Sequence, residues 1–291
     1  PADALHREVD LPGCEPKPAT EDTRAPALLR EIMDHPNYRQ ADEDPAFLHR
    51  ADMRGTRLML DYQKAEALLA EHGVAHAIVV FGSTRIPEPE VAAERLAALE
   101  AEAARAPDDA DLAQRLRIAR RVHDKSRFYE IARDLGRLVG EAEGPHGNRL
   151  VVVTGGGPGM MEAANRGAHE AGARTVGLNI MLPFEQDSNP VIRGDHKLVH
   201  MKYFFTRKLM FVKECHAVCL LPGGFGTLDE GLEVLTLLQT GKRDLVPVVF
   251  LDAPGNGFWQ QWNEFIVARL LGDGMISEED LSLYKLTDSV E

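Results

Sequence analysis

The sequence predicts an α/β protein with a Rossmann-like, doubly wound, mostly parallel sheet, helices on both faces and a helical N-terminal extension. Short apolar, β-branched runs alternate with amphipathic helical patterns along residues 76–271, which is typical of parallel strands joined by crossover helices. Three of the predicted strands end in turns rich in glycine or small hydroxyl residues. A chain of 291 residues with 44% hydrophobic content can bury one large core beside a smaller appendage.

Residues 1–73 are predicted to form the extension. Residues 1–24 are rich in Pro, Asp, Glu and Thr and poor in large apolar side chains, so we expect an extended or partly disordered lead. Residues 25–73 have helical patterns that break near Pro36 and Pro45. They hold no known chemical motif, and we interpret them as an appendage for packing or oligomer contacts.

The second predicted domain, residues 74–291, opens with a buried strand at residues 76–81, an apolar and β-branched run. The turn Gly82-Ser83-Thr84-Arg85 follows it. The next stretch is rich in alanine and in alternating charges, and it predicts helices that include a solvent-facing insertion at about residues 87–125. Residues 128–139 have a clear apolar face and are predicted to pack on the sheet.

The rest of the domain continues this alternation. Further strands are predicted at residues 150–154, 175–180, 197–201, 217–221 and 246–251, and helices at residues 160–171, 204–215, 228–239 and 259–271. Residues 181–195 contain two prolines and many polar side chains, and we interpret them as a surface loop. A short helix near Glu278 and a last strand are expected in the tail.

Residues 222–230, Pro-Gly-Gly-Phe-Gly-Thr-Leu-Asp-Glu, are the most informative stretch of the chain. A predicted strand leads into them and a predicted helix leads out, an arrangement that presents backbone N–H groups to a phosphate. Thr227 adds a hydroxyl in the first helical turn, and Glu230 adds a carboxylate one turn further in. Because a carboxylate repels an anion, Glu230 is expected to have a task of its own. The pattern indicates chemistry on a phosphorylated ligand.

Two other turns, at residues 82–85 and 155–159, share this character. Turns that follow parallel strands lie at the carboxyl edge of the sheet, so the three can converge on one crevice. The second turn does not give Gly-x-Gly-x-x-Gly, and the strand at 175–180 ends without an acidic residue, which argues against a dinucleotide. P-loop, zinc-hydrolase and serine-esterase motifs are also absent from the sequence.

Charge and cysteine content exclude other classes of function. The net charge of −13, from 33 basic and 46 acidic residues, argues against nucleic acid or an anionic membrane surface as a partner. Three cysteines are too few for a disulfide framework, and Cys215 and Cys219 are interpreted as buried structural thiols. No apolar run approaches a membrane span and no signal-peptide pattern opens the chain, so we expect a cytoplasmic location.

Arg207 and Lys208 place two cations about fifteen residues before the loop at 222–230. The planar fork of an arginine suits a phosphate or a polarised leaving group. The competing interpretation is that both residues only solvate a helix face. Catalysis by histidine is poorly supported, and His200 and His216 are interpreted as strand-edge or core residues.

These residues resemble the LONELY GUY family, whose members are cytokinin-activating nucleotide phosphoribohydrolases once mislabelled lysine decarboxylases. Residues 222–230 match the family motif Pro-Gly-Gly-x-Gly-Thr-x-x-Glu, and Arg207-Lys208 stands at the family's spacing ahead of it. Residues 82–84 and 154–161 resemble its two other loops, and Tyr129 stands where a family helix usually carries a tyrosine. The resemblance covers about residues 76–271.

The resemblance implies a nucleotide-binding catalytic domain that hydrolyses the N-glycosidic bond of a nucleoside 5′-monophosphate, without metal or cofactor. Arg207 and Glu230 are the implied catalytic residues, and Asp229 is expected to face solvent or to bind a ribose hydroxyl. The implied substrate-binding residues are Gly82, Ser83, Gly156, Gly157, Lys208, Gly223, Gly224, Gly226 and Thr227. The base stays open between a cytokinin and the purine or pyrimidine of an ordinary nucleoside monophosphate such as AMP.

Two departures from a compact family member bear on partners. The extension, and the connection of about 45 residues between Arg85 and Tyr129, resemble the longer branch, so we expect a homo-oligomer, a dimer or larger. Two alternatives stay open. One is a binding protein that carries a nucleotide-like or molybdenum cofactor without turnover. The other is a decarboxylase, which needs a lysine Schiff base to pyridoxal phosphate; Lys208 is its one open candidate.

Overall fold

The structure is a computed structural model that describes residues 22–144, 149–180, 188–193 and 198–290. Most of the lead predicted at residues 1–24, namely residues 1–21 with Cys14, lies outside the described residues, as does most of the predicted loop at 181–195. The chain divides into two compact units, with the boundary between Met59 and Leu60. None of the helices in the described ranges combines the length and apolar composition that crossing a bilayer requires.

The first unit is helical over its described residues. Helix α1 (Ala25–Asp34) begins with a proline in its first turn and ends at His35, next to Pro36. Helix α2 (Pro45–Leu48) is capped by Asp44, whose carboxylate accepts a hydrogen bond from the Phe47 N–H at 3.1 Å. The predicted helical extension is thus confirmed, and it continues into helix α3 (Arg54–Glu71).

The second unit is built on a parallel sheet. Its described residues form seven strands: β1 (His76–Phe81), β2 (Leu150–Thr154), β3 (Thr175–Ile180), β4 (Leu198–Met201), β5 (Cys215–Leu220), β6 (Val248–Leu251) and β7 (Lys285–Thr287). Their order is β4-β3-β2-β1-β5-β6-β7, and each neighbouring pair is parallel. The predicted Rossmann-like, doubly wound sheet is confirmed.

The winding direction reverses at β1, which positions the site. From the centre of the sheet the chain moves outward through β2, β3 and β4, and then through β5, β6 and β7 on the other side. Strands β1 and β5 are therefore neighbours, with Phe81 beside Leu220 at their carboxyl ends. In open α/β sheets ligands bind in the crevice at such a switch point.

Helices cover both faces of the sheet. Besides α3, the α-helices of the second unit are α4 (Pro89–Arg105), α5 (Ala110–Lys125), α6 (Arg127–Glu141), α7 (Met160–Glu170), α8 (Phe204–Glu214), α9 (Phe225–Gln239) and α10 (Phe258–Phe265), which continues as a π-helical segment (Ile266–Leu271). Buried residues of α3, α8, α9 and α10 form one apolar layer with the sheet, and those of α6 and α7 form the other. Two separate cores therefore hold the sheet between them.

Helices α6 and α7 approach each other closely enough to need glycine. A Cβ on Gly136 would overlap the carbonyl oxygen of Ala164, and one on Gly167 would overlap that of Arg133. The two backbones thus pack directly against each other, which fixes the position of α7. This matters for function because α7 begins at the second glycine-rich turn.

The two described cysteines are buried and free, as expected of structural thiols. Burial raises the pKa of the Cys215 thiol to about 11 and that of Cys219 to about 12. Both sulfurs therefore stay protonated at neutral pH and are poor nucleophiles.

Candidate functional site

A cavity of about 760 Å³ opens at the carboxyl ends of β1, β2 and β5. Its volume falls in the range of small-molecule sites. The three turns singled out in the sequence meet here, joined by side chains of α8. The lining residues are Phe81, Gly82, Ser83, Thr84, Arg85, Gly155, Gly157, Pro158, Met161, Asn179, Ile180, Phe204, Arg207, Phe211, Gly223, Gly224, Phe225, Gly226, Thr227, Leu228, Glu230 and Phe258.

Most of the predicted site residues line this cavity. They are Gly82, Ser83, Gly157, Arg207, Gly223, Gly224, Gly226, Thr227 and Glu230. Gly156 and Lys208 do not line it. Of the described residues in the wall, those with charged side chains are Arg85, Arg207 and Glu230, so an acidic protein has cations at this place.

The loop between β5 and α9 is shaped by its glycines. Gly224 is the N-cap of α9, and it has no side chain that could cap the amides of the first turn. The residues that carry those amides line the cavity. A Cβ on Gly223 would overlap Oγ1 of Thr227, whereas a Cβ on Gly224 or Gly226 would meet no atom within 4 Å. Gly223 is thus required by the fold, and the other two leave room for a ligand at a helix N-terminus.

A buried polar network braces the second glycine-rich turn. Oγ1 of Thr154 accepts a hydrogen bond from the Gly156 N–H at 2.9 Å and donates one to Oδ1 of Asn165 at 2.8 Å. The side-chain amide of Asn189 donates to the same Oδ1 at 3.0 Å and to the Gly157 carbonyl at 3.2 Å. Gly156 has a φ of +69°, a conformation that favours glycine, and it shapes the turn without lining the cavity.

Asn165 and Asn189, which brace this turn, were not predicted from the sequence. Asn165 carries a usable signal, since asparagine is a poor helix former and it interrupts the small-residue face of a predicted helix. Asn189 follows a segment outside the described residues, and nothing in its local sequence indicates a contact with the turn.

The first turn is fixed to the start of α7. The Met160 N–H donates to the carbonyl of Ser83 at 3.1 Å, and the Ser83 hydroxyl accepts from the Arg85 N–H at 3.1 Å. Gly159 has a φ of +73°, and a Cβ there would lie 2.5 Å from the same Ser83 carbonyl. The turns after β1 and β2 therefore form one continuous wall.

Arg207 reaches the cavity from α8. Its guanidinium carbon lies 4.9 Å from the centre of the Phe204 ring and 5.5 Å from that of Phe211, in cation–π geometry. Its Nε is buried and has no hydrogen-bond partner among the described residues. Burial lowers the pKa of Arg207, and the nearby Glu230 carboxylate partly restores it. The two rings thus hold the guanidinium in place, and its N–H donors stay available to a ligand.

Helix α8 is itself anchored by a residue that was not predicted from the sequence. Asp61 on α3 accepts hydrogen bonds from the Lys202 N–H at 2.8 Å, the Tyr203 N–H at 3.2 Å and the Thr206 hydroxyl. It thus holds the residues that lead into α8, and the first turn through Thr206, from a position 141 residues away along the chain. No local pattern in the sequence signals a cap that comes from so far away.

Glu230 is the buried acid of the site. It is 4% exposed, and its Oε2 is buried without a hydrogen bond from any described residue. Burial raises the pKa of Glu230 to about 7, and the charges of Glu233 and Asp229 act in the same direction. Lys208 and Arg207 oppose them. A carboxyl group poised near neutral pH in a cavity is suited to acid–base chemistry.

Tyr129 lies behind the site rather than in it. Its ring is buried, and its hydroxyl donates to Oε1 of Glu162 at 3.3 Å. The same oxygen accepts from Arg166 at 2.8 Å. Burial, followed by the charge of Glu162, raises the pKa of the Tyr129 hydroxyl, so it stays protonated. Tyr129 therefore joins α6 to α7 and does not line the cavity.

Comparisons with known proteins bear on what this cavity does. The family described as "Possible lysine decarboxylase" matches residues 161–291. A cytokinin riboside 5′-monophosphate phosphoribohydrolase of Arabidopsis thaliana is 33% identical over 167 residues, covering 53% of this chain and 73% of the relative. A second from the same plant is 32% identical, covering 53% of this chain and 66% of the relative. One from Oryza sativa subsp. japonica is 30% identical, covering 53% and 60%.

The solved structures matched by this chain include one molybdenum cofactor binding protein and one molybdenum cofactor carrier protein. The molybdenum cofactor binding protein of Rippkaea orientalis is 16% identical with a TM-score of 0.41, covering 74% of this chain and 88% of that one. The carrier protein of Chlamydomonas reinhardtii is 18% identical with a TM-score of 0.37, covering 74% and 90%.

The match to the plant enzymes is the informative one. It reaches 33% identity across 73% of one relative, although the chain spans less than two thirds of several others. Most residues of the motif at 222–230, which carried the resemblance in sequence, line the cavity, and Glu230 is one of them. The chain belongs to the LONELY GUY family of phosphoribohydrolases.

Proposed function

We propose that the protein hydrolyses the N-glycosidic bond of a nucleoside 5′-monophosphate to free base and ribose 5-phosphate. One observation carries the proposal. A buried carboxylate, Glu230, lies one turn into the same helix whose uncapped first turn lines the cavity. A phosphate at the helix N-terminus and a carboxylate one turn away match the two ends of a ribose 5-phosphate.

The phosphate is proposed to bind at the start of α9. The amides of Gly224, Gly226 and Thr227 and the Thr227 hydroxyl supply hydrogen bonds, and the helix dipole favours the negative charge. Ser83 and Gly157 would form the facing wall of the nucleotide crevice. This arrangement holds the substrate by its non-reacting end and leaves the ribose near Glu230.

Glu230 is proposed to act on C1′ of the ribose. As the bond to the base breaks, positive charge grows on the ribose ring, and an ionised carboxylate beside C1′ stabilises that charge. Glu230 also takes a proton from the attacking water, whose oxygen forms the new bond to C1′. A pKa of about 7 lets Glu230 be ionised at the start of the cycle and protonated afterwards.

Arg207 is proposed to stabilise the departing base. The base leaves with the bonding electron pair and carries negative charge until it gains a proton at a ring nitrogen. The guanidinium stays charged at every relevant pH, and the rings of Phe204 and Phe211 hold it at the cavity wall. Buried next to Glu230, it acts in surroundings where charge interactions are strong.

Incubation with a panel of nucleotides tests this proposal. Purified protein should release free adenine from AMP, or free base from isopentenyladenine ribotide, with an equal amount of ribose 5-phosphate by chromatography. The matching nucleosides without phosphate should be poor substrates, because the helix N-terminus then has no anion to bind. If several monophosphates bind and none is cleaved, the protein is a nucleotide-binding carrier and the hydrolase proposal fails.

We also propose that the protein acts as a homo-oligomer. Large apolar side chains are exposed on the two helices of the site: Phe205 and Leu209 on α8 are 58% and 50% exposed, and Leu232 on α9 is 45% exposed. A second copy of the chain would cover them. Sedimentation velocity should give a multiple of 32.1 kDa, and Phe205→Glu should lower it. A wild-type protein that sediments as a 32.1-kDa monomer contradicts the proposal.

A further inference from the structure

Lys208 lies near the candidate site, but its side chain does not line the cavity. It follows Arg207 directly on α8, and neighbouring helix residues point about 100° apart. Arg207 lines the cavity and Lys208 does not. The phosphate-binding role that the family resemblance implies for Lys208 therefore has no support from its position.

The ammonium group of Lys208 is instead surrounded by carboxylates of α9. Its Nζ lies 2.6 Å from Oδ2 of Asp229, 3.0 Å from Oε2 of Glu233 and 3.8 Å from Oε2 of Glu230. The Lys208 side chain is 15% exposed, which makes these interactions stronger than those of a surface pair. Asp229 and Glu233 are one helical turn apart and therefore lie on the same face of α9, where both contact the ammonium group beside Glu230.

We propose that Lys208 is a positioning residue that keeps Glu230 ionised and in place from outside the cavity. The inference rests on the proposed function, because it assigns the reaction its ionised base. It also gives Asp229 and Glu233 a role, since these two carboxylates fix the ammonium group next to Glu230.

The charged groups around Glu230 determine whether its pKa rises or falls when Lys208 is replaced. Arg207 and Lys208 face it from α8, Asp229 and Glu233 lie beside it on α9, and Arg85 lines the cavity from the first turn. Of the charged neighbours, Lys208 acts most strongly, and it lowers the pKa of Glu230 against the effect of burial. Without Lys208 the pKa rises above about 7, so Glu230 is mostly protonated at neutral pH.

The pH dependence of base release tests this role. In the wild type, kcat should rise as pH increases through about 7, because only ionised Glu230 is active. In Lys208→Met this rise should move to higher pH. We expect kcat about tenfold lower at pH 6.5 and within about threefold of wild type on the alkaline plateau, with KM little changed. Lys208→Arg should restore the profile.

Two matched variants complete the design. Lys213→Met removes a lysine from the same helix whose ammonium group pairs with Glu66 and Glu214, and it should leave the profile unchanged. In Glu233→Gln the amide oxygen still accepts a hydrogen bond from Lys208, so the ammonium group stays beside Glu230 while a negative neighbour is lost, and the rise should move to lower pH. If Lys208→Met raises KM and lowers kcat equally at every pH, Lys208 binds the phosphate and the inference is overturned.

A titration without substrate separates this inference from the proposed function. Carbon-13 NMR of side-chain-labelled glutamate, with the Glu230 signal assigned by its loss in Glu230→Gln, reports the Glu230 midpoint directly. The midpoint should rise in Lys208→Met and stay in place in Lys213→Met. An unchanged midpoint in Lys208→Met overturns the inference. A shifted midpoint in a protein that cleaves no nucleotide retains the electrostatic role of Lys208 and refutes only the hydrolase proposal.

Discussion

Replacing Glu230 with glutamine is expected to abolish base release while nucleotide binding persists. Glutamine has the shape of the protonated acid but can neither stabilise positive charge on the ribose nor take a proton from water. We expect kcat to fall by at least about 10²–10³-fold, the usual loss on removing a group that acts on transition-state charge. Calorimetric titration with AMP should give a Kd within about tenfold of that of the wild type.

Stability measurements distinguish a loss of activity caused by the missing carboxylate from one caused by unfolding of the variant. The folded state raises the pKa of Glu230 from its ordinary value of 4.5 to about 7, so folding favours the protonated acid. The ionised form therefore costs stability above pH 7, and the neutral glutamine should unfold at an equal or higher temperature at pH 8. Glu264→Gln, exposed on α10, serves as the control that keeps full activity. Turnover by Glu230→Gln near the wild-type rate would remove Glu230 from the mechanism.

Three single alanine substitutions in the loop at residues 222–227 should separate glycines required by the fold from those required by the ligand. In Gly223→Ala the new methyl group overlaps Oγ1 of Thr227, so we expect a loss of about 1–3 kcal/mol in the free energy of unfolding together with loss of nucleotide binding. In Gly224→Ala and Gly226→Ala the methyl group meets no protein atom within 4 Å.

Both variants should therefore fold and bind nucleotide poorly, with Gly224→Ala losing up to about 1 kcal/mol in the free energy of unfolding because alanine is a poorer N-cap than glycine. Gly226 lies in the first turn of α9, and alanine there should leave the free energy of unfolding unchanged or raise it by up to about 1 kcal/mol. A phosphate that approaches the amides closely would collide with either methyl group, and we expect AMP affinity to fall at least about tenfold. If both variants bind AMP as the wild type does, the phosphate lies elsewhere.

The fold could be predicted because the sheet is parallel and buried on both faces. Such strands are continuous apolar runs, as at Val151, Val152 and Val153, and glycine-rich turns follow them. The ends of elements were less predictable. Strand β5 starts at Cys215, two residues before the predicted run, because it pairs there with Ala77 of β1. That pairing depends on residues far away in the chain.

The site residues, too, could be predicted where their roles depend on local sequence and not where they depend on distant contacts. Glu230 and the loop that precedes it could be predicted because strand, turn and helix are local in sequence. Asp61 and Asn189 could not be predicted, since their roles come from contacts at least 24 residues away along the chain, such as the one between Asn189 and Asn165. The direction of Lys208 depends on the rotation of α8 about its axis, which a spacing between motifs does not determine.

The central claim is that one cavity binds a nucleoside 5′-monophosphate and cleaves its glycosidic bond with Glu230. The most direct test measures AMP binding and adenine release in the same samples of wild type and Glu230→Gln at pH 8. We predict that both proteins bind AMP, and that the wild type alone releases adenine and ribose 5-phosphate in equal amounts. Binding by both proteins with no release from the wild type, for AMP and for isopentenyladenine ribotide alike, would contradict the claim.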